Sequence, residues 1–166
     1  MNDFMDPFTV MLVVTIATVT AFWPAIVDFF STKIVPFVRT KISPDIAELL
    51  LDFICWLDKP VSRLRKECKV AYKKFKETVL GYRSQYTKNG SSSVTKATMV
   101  ILKKEDGSKV AMQKEEEVDW ADLPDSVRSE MTRQQKKAAM FDEREAIDTK
   151  TREKAREMGM LEMLEN

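Results

Sequence analysis

The sequence predicts a mainly α membrane protein, with a single N-terminal transmembrane helix followed by an α-rich cytoplasmic region that carries a small β-hairpin. Three observations lead there. Phe8 to Val27 (FTVMLVVTIATVTAFWPAIV) runs for 20 residues without a charge. At about 1.5 Å rise per residue, a helix of that length reaches roughly 30 Å, the thickness of a bilayer's hydrocarbon core. Lys33, Arg39 and Lys41 follow the run, whereas MNDFMDP before it has neither Lys nor Arg. That bias sets the N-terminus outside and the rest in the cytoplasm, as a single-pass protein. Beyond the run, apolar residues recur at three- and four-residue steps, the period of a helix.

On this reading the chain divides into a short N-terminal segment (1–7), a transmembrane helix (8–30) and juxtamembrane amphipathic and basic helices (31–88). A linker (89–93), a β-hairpin (94–113), and an acidic turn with a long charged helix of coiled-coil character (114–166) complete it. A cleaved signal peptide ending near Val19-Thr20-Ala21 is the rival for the apolar run, but it needs a basic leader that is missing. Within the run, Ala17, Ala21 and Ala25 recur at four-residue steps, and Asp28 falls on the same face. Small residues let helices approach closely, so this face is the candidate helix–helix seam of a homo-oligomer. Trp23 and Phe29–Phe30 suit a membrane interface, and Pro24 lacks the N–H that would bond to Thr20.

Ser43-Pro44-Asp45 reads as a helix start: a capping serine, proline at the first position and an acid near the positive end of the dipole. Ile46, Leu49, Leu50, Phe53, Ile54 and Leu57 follow on one side, with Asp45, Glu48 and Asp52 on the other. An acidic polar face is repelled by an anionic leaflet, so this helix is expected to pack on protein. After Lys59-Pro60, a second helix is expected over 61–86, because Val61, Leu64, Cys68, Ala71, Phe75, Val79, Tyr82 and Tyr86 keep the helical step. Arg63, Arg65, Lys66, Lys69, Lys73, Lys74 and Lys76 flank it and form a candidate contact for anionic membrane lipid. Exposed aromatics for base stacking are not clustered there, which argues against nucleic acid.

Asn89-Gly90 is expected to end that helix, and Ser91–Ser93 to act as a linker. From Val94 the period changes to two, and Asp106-Gly107 between the alternating runs signals a hairpin. A lone hairpin is marginal in water, so it needs a helix or another chain, and strand addition from a neighbour is one solution. Trp120-Ala121-Asp122-Leu123-Pro124-Asp125 reads as an anchored turn into a helix. Trp120, Leu123, Val127 and Met131 are its candidate partner contacts. Gly159 ends the last helix, ahead of an apolar tip at Met160–Leu164.

The chain has no histidine, which removes the commonest general base and metal ligand. Its two cysteines, Cys55 and Cys68, have no metal-ligand spacing and read as reduced, buried thiols. Four dispersed glycines exclude the phosphate-binding loops. No catalytic residue, metal site or cofactor follows from the sequence, and an enzyme is not expected. The expectation is a membrane-anchored assembly or adaptor subunit whose cytoplasmic region holds a protein partner. The alternative is a homo-oligomerising, membrane-active effector built on the alanine seam. The partners implied are membrane lipid and either another protein or a second copy.

Overall fold

Strand, not helix, follows the basic segment, and this changes the fold class. The computed structural model describes residues 10–12, 16–59, 66–133 and 138–165. In chain order the elements are β1 (Val10–Leu12), α1 (Ile16–Phe29), a π-helical turn (Phe30–Ile34), α2 (Val35–Lys41), α3 (Pro44–Asp58) and α4 (Lys66–Thr78). Then come β2 (Val79–Asn89), β3 (Ser93–Lys103), β4 (Lys109–Asp119), a 3₁₀ turn (Trp120–Asp122), α5 (Asp125–Arg133), β5 (Ala138–Asp142), α6 (Glu143–Glu157) and α7 (Leu161–Glu165). The five strands form one sheet in the order β1-β5-β2-β3-β4. β1 runs parallel to β5 and every other pair is antiparallel. The chain is therefore an α+β protein built on a sheet, and the expected mainly α membrane fold is corrected.

The helix expected over 61–86 stops at Thr78. Val79, Tyr82 and Tyr86 satisfy a helical step, but Tyr82, Ser84 and Tyr86 also satisfy a step of two. In β2 these three side chains are buried together, as the strand period requires. Asn89-Gly90 does not end a helix. It turns β2 into β3, with Asn89 opposite Ser93 and Gly90 at φ +92°, a left-handed conformation that glycine adopts without strain. The expected hairpin is real but longer than 94–113: β3 and β4 pair without a break from Ser93–Asp119 to Lys103–Lys109, taking in the acidic run Glu115–Glu117. The long C-terminal helix is instead α5, β5, α6 and α7. AAMFD was hidden as β5 because it is five residues long and lies in a charged tract.

Helix packing explains the apolar N-terminal segment differently. Thr18–Lys41 is one continuous 24-residue helical stretch, long and apolar enough by length and composition to cross a membrane. Its large side chains lie on one side: Val19, Phe22, Trp23, Ile26, Phe30, Ile34, Val35 and Val38 are all buried in the core. Phe22 stacks on Phe141 of β5 at 4.4 Å, and Phe29 on Tyr82 of β2 at 5.5 Å. The exposed side carries Thr20, Ala21, Pro24, Ala25 and Asp28. That is the amphipathic division of a helix lying on a sheet. The π turn precedes Pro36, whose ring crowds the carbonyl four residues back, and the wider turn accommodates it.

α3 starts as its sequence requires, with Ser43 Oγ accepting from the Ile46 N–H at 3.3 Å. Its apolar side packs between α2 and α4, and Asp45, Glu48 and Asp52 are exposed. Phe53 anchors an aromatic cluster with Phe75 at 5.0 Å and Tyr72 at 5.6 Å, and Phe30 reaches Phe75 at 6.1 Å. Cys55 is exposed rather than buried, Cys68 is half-buried, and both are free thiols.

Candidate functional site

The sheet places two kinds of polar surface within reach of function: a buried set on α6 and an open edge at β4. The buried set is built from a helix that looks solvated in sequence. α6 (EREAIDTKTREKARE) is dominated by charge, yet Glu143, Ala146, Ile147, Asp148, Thr151, Lys154 and Ala155 are buried. Alanine and threonine allow close approach to the sheet, and each buried charge meets a partner group. Asp142 caps the helix, accepting from the Glu145 N–H at 3.0 Å.

Glu143 lies against β2. It accepts a hydrogen bond from Ser84 Oγ, and Ser84 Oγ lies 3.2 Å from Thr98 Oγ1. Its other oxygen, Oε1, has no hydrogen-bond partner among the described residues. Burial pushes its carboxyl up to about 8, against the smaller opposing effect of the Ser84 bond. Tyr82 and Tyr86 are held well above their ordinary range, first by burial and then by the Glu143 charge.

The next residue, Arg144, pairs with Asp148 one helical turn on, and its Nε donates to the Val79 carbonyl at 2.7 Å. Tyr72 donates to Asp148 at 3.3 Å. Burial raises the Asp148 carboxyl, Arg144 partly offsets this, and burial also pushes Tyr72 up to about 12. Further along, Lys154 donates to the carbonyls of Trp56 and Lys59, the latter at 2.7 Å. Desolvation lowers its ammonium. These bonds tie α6 to α3, α4 and β2. Among the described residues, no group of three or more His, Cys, Asp or Glu side chains is placed to hold a metal ion.

The open edge is β4. It is the last strand of the sheet and is 11 residues long. Its side chains alternate between half-buried and exposed along Lys109–Lys114, and Glu115, Glu116, Glu117 and Asp119 are exposed. Lys96 of β3 reaches Glu116 at 3.9 Å, and Ser93 and Thr95 each donate to Glu117 at 2.8 Å. Those bonds hold the Glu117 carboxylate below the usual range. Trp120 closes the strand, its N–H donating to the Ser92 carbonyl at 2.8 Å and its ring carrying the Lys88 ammonium at 4.2 Å.

The residues singled out from sequence are not brought together. Ala21, Ala25 and Asp28 are exposed on α1, and the side chain of Ala17 lies outside the described residues. Of the basic set, Arg63, Arg65 and the side chain of Lys66 lie outside the described residues. Lys73 is exposed, Lys69 is half-buried, Lys74 pairs with Glu77 at 3.4 Å and Lys76 lies over Tyr72 at 4.5 Å. Leu123, Val127 and Met131 are buried in the chain's own core, leaving Trp120 half-exposed. Sequence reasoning missed Ser84, Thr98 and Glu143. Ser84 was legible as the polar member of a Tyr82-Ser84-Tyr86 alternation, while nothing local marks Glu143 as buried.

No protein-family model, no curated protein and no solved structure matches the chain.

Proposed function

We propose that this chain is a non-enzymatic assembly or adaptor subunit that holds a protein partner by strand addition at β4. The observation that carries the reading is the exposed, unbroken 11-residue edge strand. An edge presents backbone N–H and C=O groups that another chain can pair with. β4 contains no proline and no bulge, two of the devices that blunt an edge. The burial of Glu143, Asp148 and Lys154 on α6, each bonded to another part of the chain, supports the non-enzymatic part.

The test is the native mass of the tagged chain in detergent-solubilised extract of its own cells. Wild type is expected to elute in an assembly larger than a monomer, and Gln113→Pro as a monomer. Equal elution of the two contradicts the reading.

Membrane residence is a second reading, favoured by the 24-residue apolar helix Thr18–Lys41. In that state the N-terminus faces outside, the rest is cytoplasmic, and the side chains now on the sheet face lipid. Its test is alkaline extraction of a membrane pellet. Retention in the pellet supports a spanning helix, and release sinks it.

A further inference from the structure

We propose that the partner strand at β4 is β4 of a second copy, paired antiparallel about a two-fold axis at Glu115. The inference rests on the reading of β4 as a docking edge and names its occupant.

The backbone sets which residues are free. Trp120 N–H donates to Ser92 O at 2.8 Å, and Lys104 N–H to Ser108 O at 2.7 Å. The β3–β4 register is unbroken between these two pairs. In an antiparallel ladder, hydrogen-bonded pairs alternate with non-bonded pairs. The even-numbered residues of β4, from Val110 to Val118, therefore point their backbone groups inward at β3. The odd-numbered ones, from Lys109 to Asp119, point theirs outward. Each of these outward residues has an N–H to give, since none is proline.

The side chains set the occupant. β4 reads KVAMQKEEEVD. Its positive charges, Lys109 and Lys114, lie in the first half, and Glu115, Glu116, Glu117 and Asp119 in the second. A strand with uniform charge repels its own copy. A segregated strand repels a parallel copy, whereas an antiparallel copy can bring its lysines opposite acids. Centring on Glu115 sets Lys114 opposite Glu116 of the partner and Met112 opposite Val118 of the partner, each twice by symmetry. The outward-bonding residues Ala111, Gln113 and Glu115 then meet Asp119, Glu117 and Glu115. A shift of the axis to Lys114 gains Lys109 opposite Asp119 and Val110 opposite Val118, but sets lysine against lysine at the axis and Met112 against Glu116. A one-residue slip of a single copy turns its side chains to the wrong face. Two sheets joined at this register make one continuous sheet of ten strands.

The experiment is sedimentation equilibrium of the purified full chain, with thermal melts run beside it. Wild type is expected as a dimer that weakens with added salt. Gln113→Pro removes an outward N–H and leaves the inner ladder intact, so it is expected to be folded and monomeric. Lys114→Glu and Glu116→Lys should each weaken the dimer by about tenfold or more. Mixing those two variants should restore a heterodimer, since residues 114 and 116 then face opposite charges at both of their pairings. Glu115→Gln removes like charges at the axis and should tighten the dimer. A monomeric wild type at all concentrations overturns the second-copy inference, as does a dimer indifferent to all four variants. If the purified chain is a monomer while its cellular assembly is lost in Gln113→Pro, only the second-copy inference falls. If both chains are also monomers in cell extract, the docking-edge reading falls with it.

Discussion

Helix α6 and strand β4 have similarly charged sequences and stand in opposite surroundings. α6 faces the core, where Asp148 meets Arg144, Lys154 meets two backbone carbonyls, and Glu143 meets one hydroxyl. β4 turns its odd-numbered side chains and Glu116 to water, and its charges are sorted by sign along the strand. A charge taken out of water costs stability unless it is paired in place, so α6 is a folding element whose loss is felt in stability. A charge left in water contributes little to the fold and is available for choosing a partner. Changes in α6 should therefore move the melting curve, and changes in β4 should move the mass.

The largest expected break of this contrast is Arg144→Ala. It strips Asp148 of its cation and Val79 of a donor in a mostly buried setting, at a cost of about 3 kcal/mol in unfolding free energy measured by urea denaturation. A cost under about 0.5 kcal/mol would place Arg144 with the solvated charges.

Next is the pH dependence from Glu143. Its carboxyl stands at about 8 in the fold against an ordinary 4.5. The folded state holds the proton more tightly, so this contribution to stability is fully present below the ordinary value. It is lost as pH rises through about 8. Glu143→Gln keeps an acceptor for Ser84 and removes the titration. Its stability is expected to vary less than wild type between about pH 5 and 8, with a residual slope from Asp148, which is raised in the same direction. An unchanged pH profile would mean that Glu143 is solvated.

The smallest expected effect is Ala21→Leu on the exposed side of α1. In a helix lying on a sheet it should change stability by less than about 0.5 kcal/mol and leave the mass unchanged. A loss of assembly would restore the alanine seam as an interface.

Much of the local structure was legible. The Ser43-Pro44 helix start, the Asp-Gly turn with Gly107 at φ +90°, and the helix stop at Gly159, φ +69°, each follow from backbone chemistry confined to a few residues. What was not legible depended on tertiary partners. The apolar segment fits a bilayer by length, and only the presence of a sheet turns its Val-Phe-Trp-Ile side into a core face. Val79 to Asn89 fits both periods, and pairing with β3 on one side and β5 on the other decides for strand. Glu143 is a helix-opening acid in sequence, and its burial against Ser84 depends on a strand distant in the chain. The edge at β4 was half legible: its hairpin was, but its place at the end of the sheet depends on β5, a strand too short to announce itself.

The claim that β4 pairs with a second copy is tested most directly by amide hydrogen exchange along that strand as the protein is diluted. Even-numbered amides from Val110 to Val118 should stay protected at every concentration, because β3 holds them. Odd-numbered amides from Ala111 to Asp119 should be protected in concentrated protein and exchange freely in dilute protein. Odd-numbered amides that exchange freely at every concentration would contradict the account.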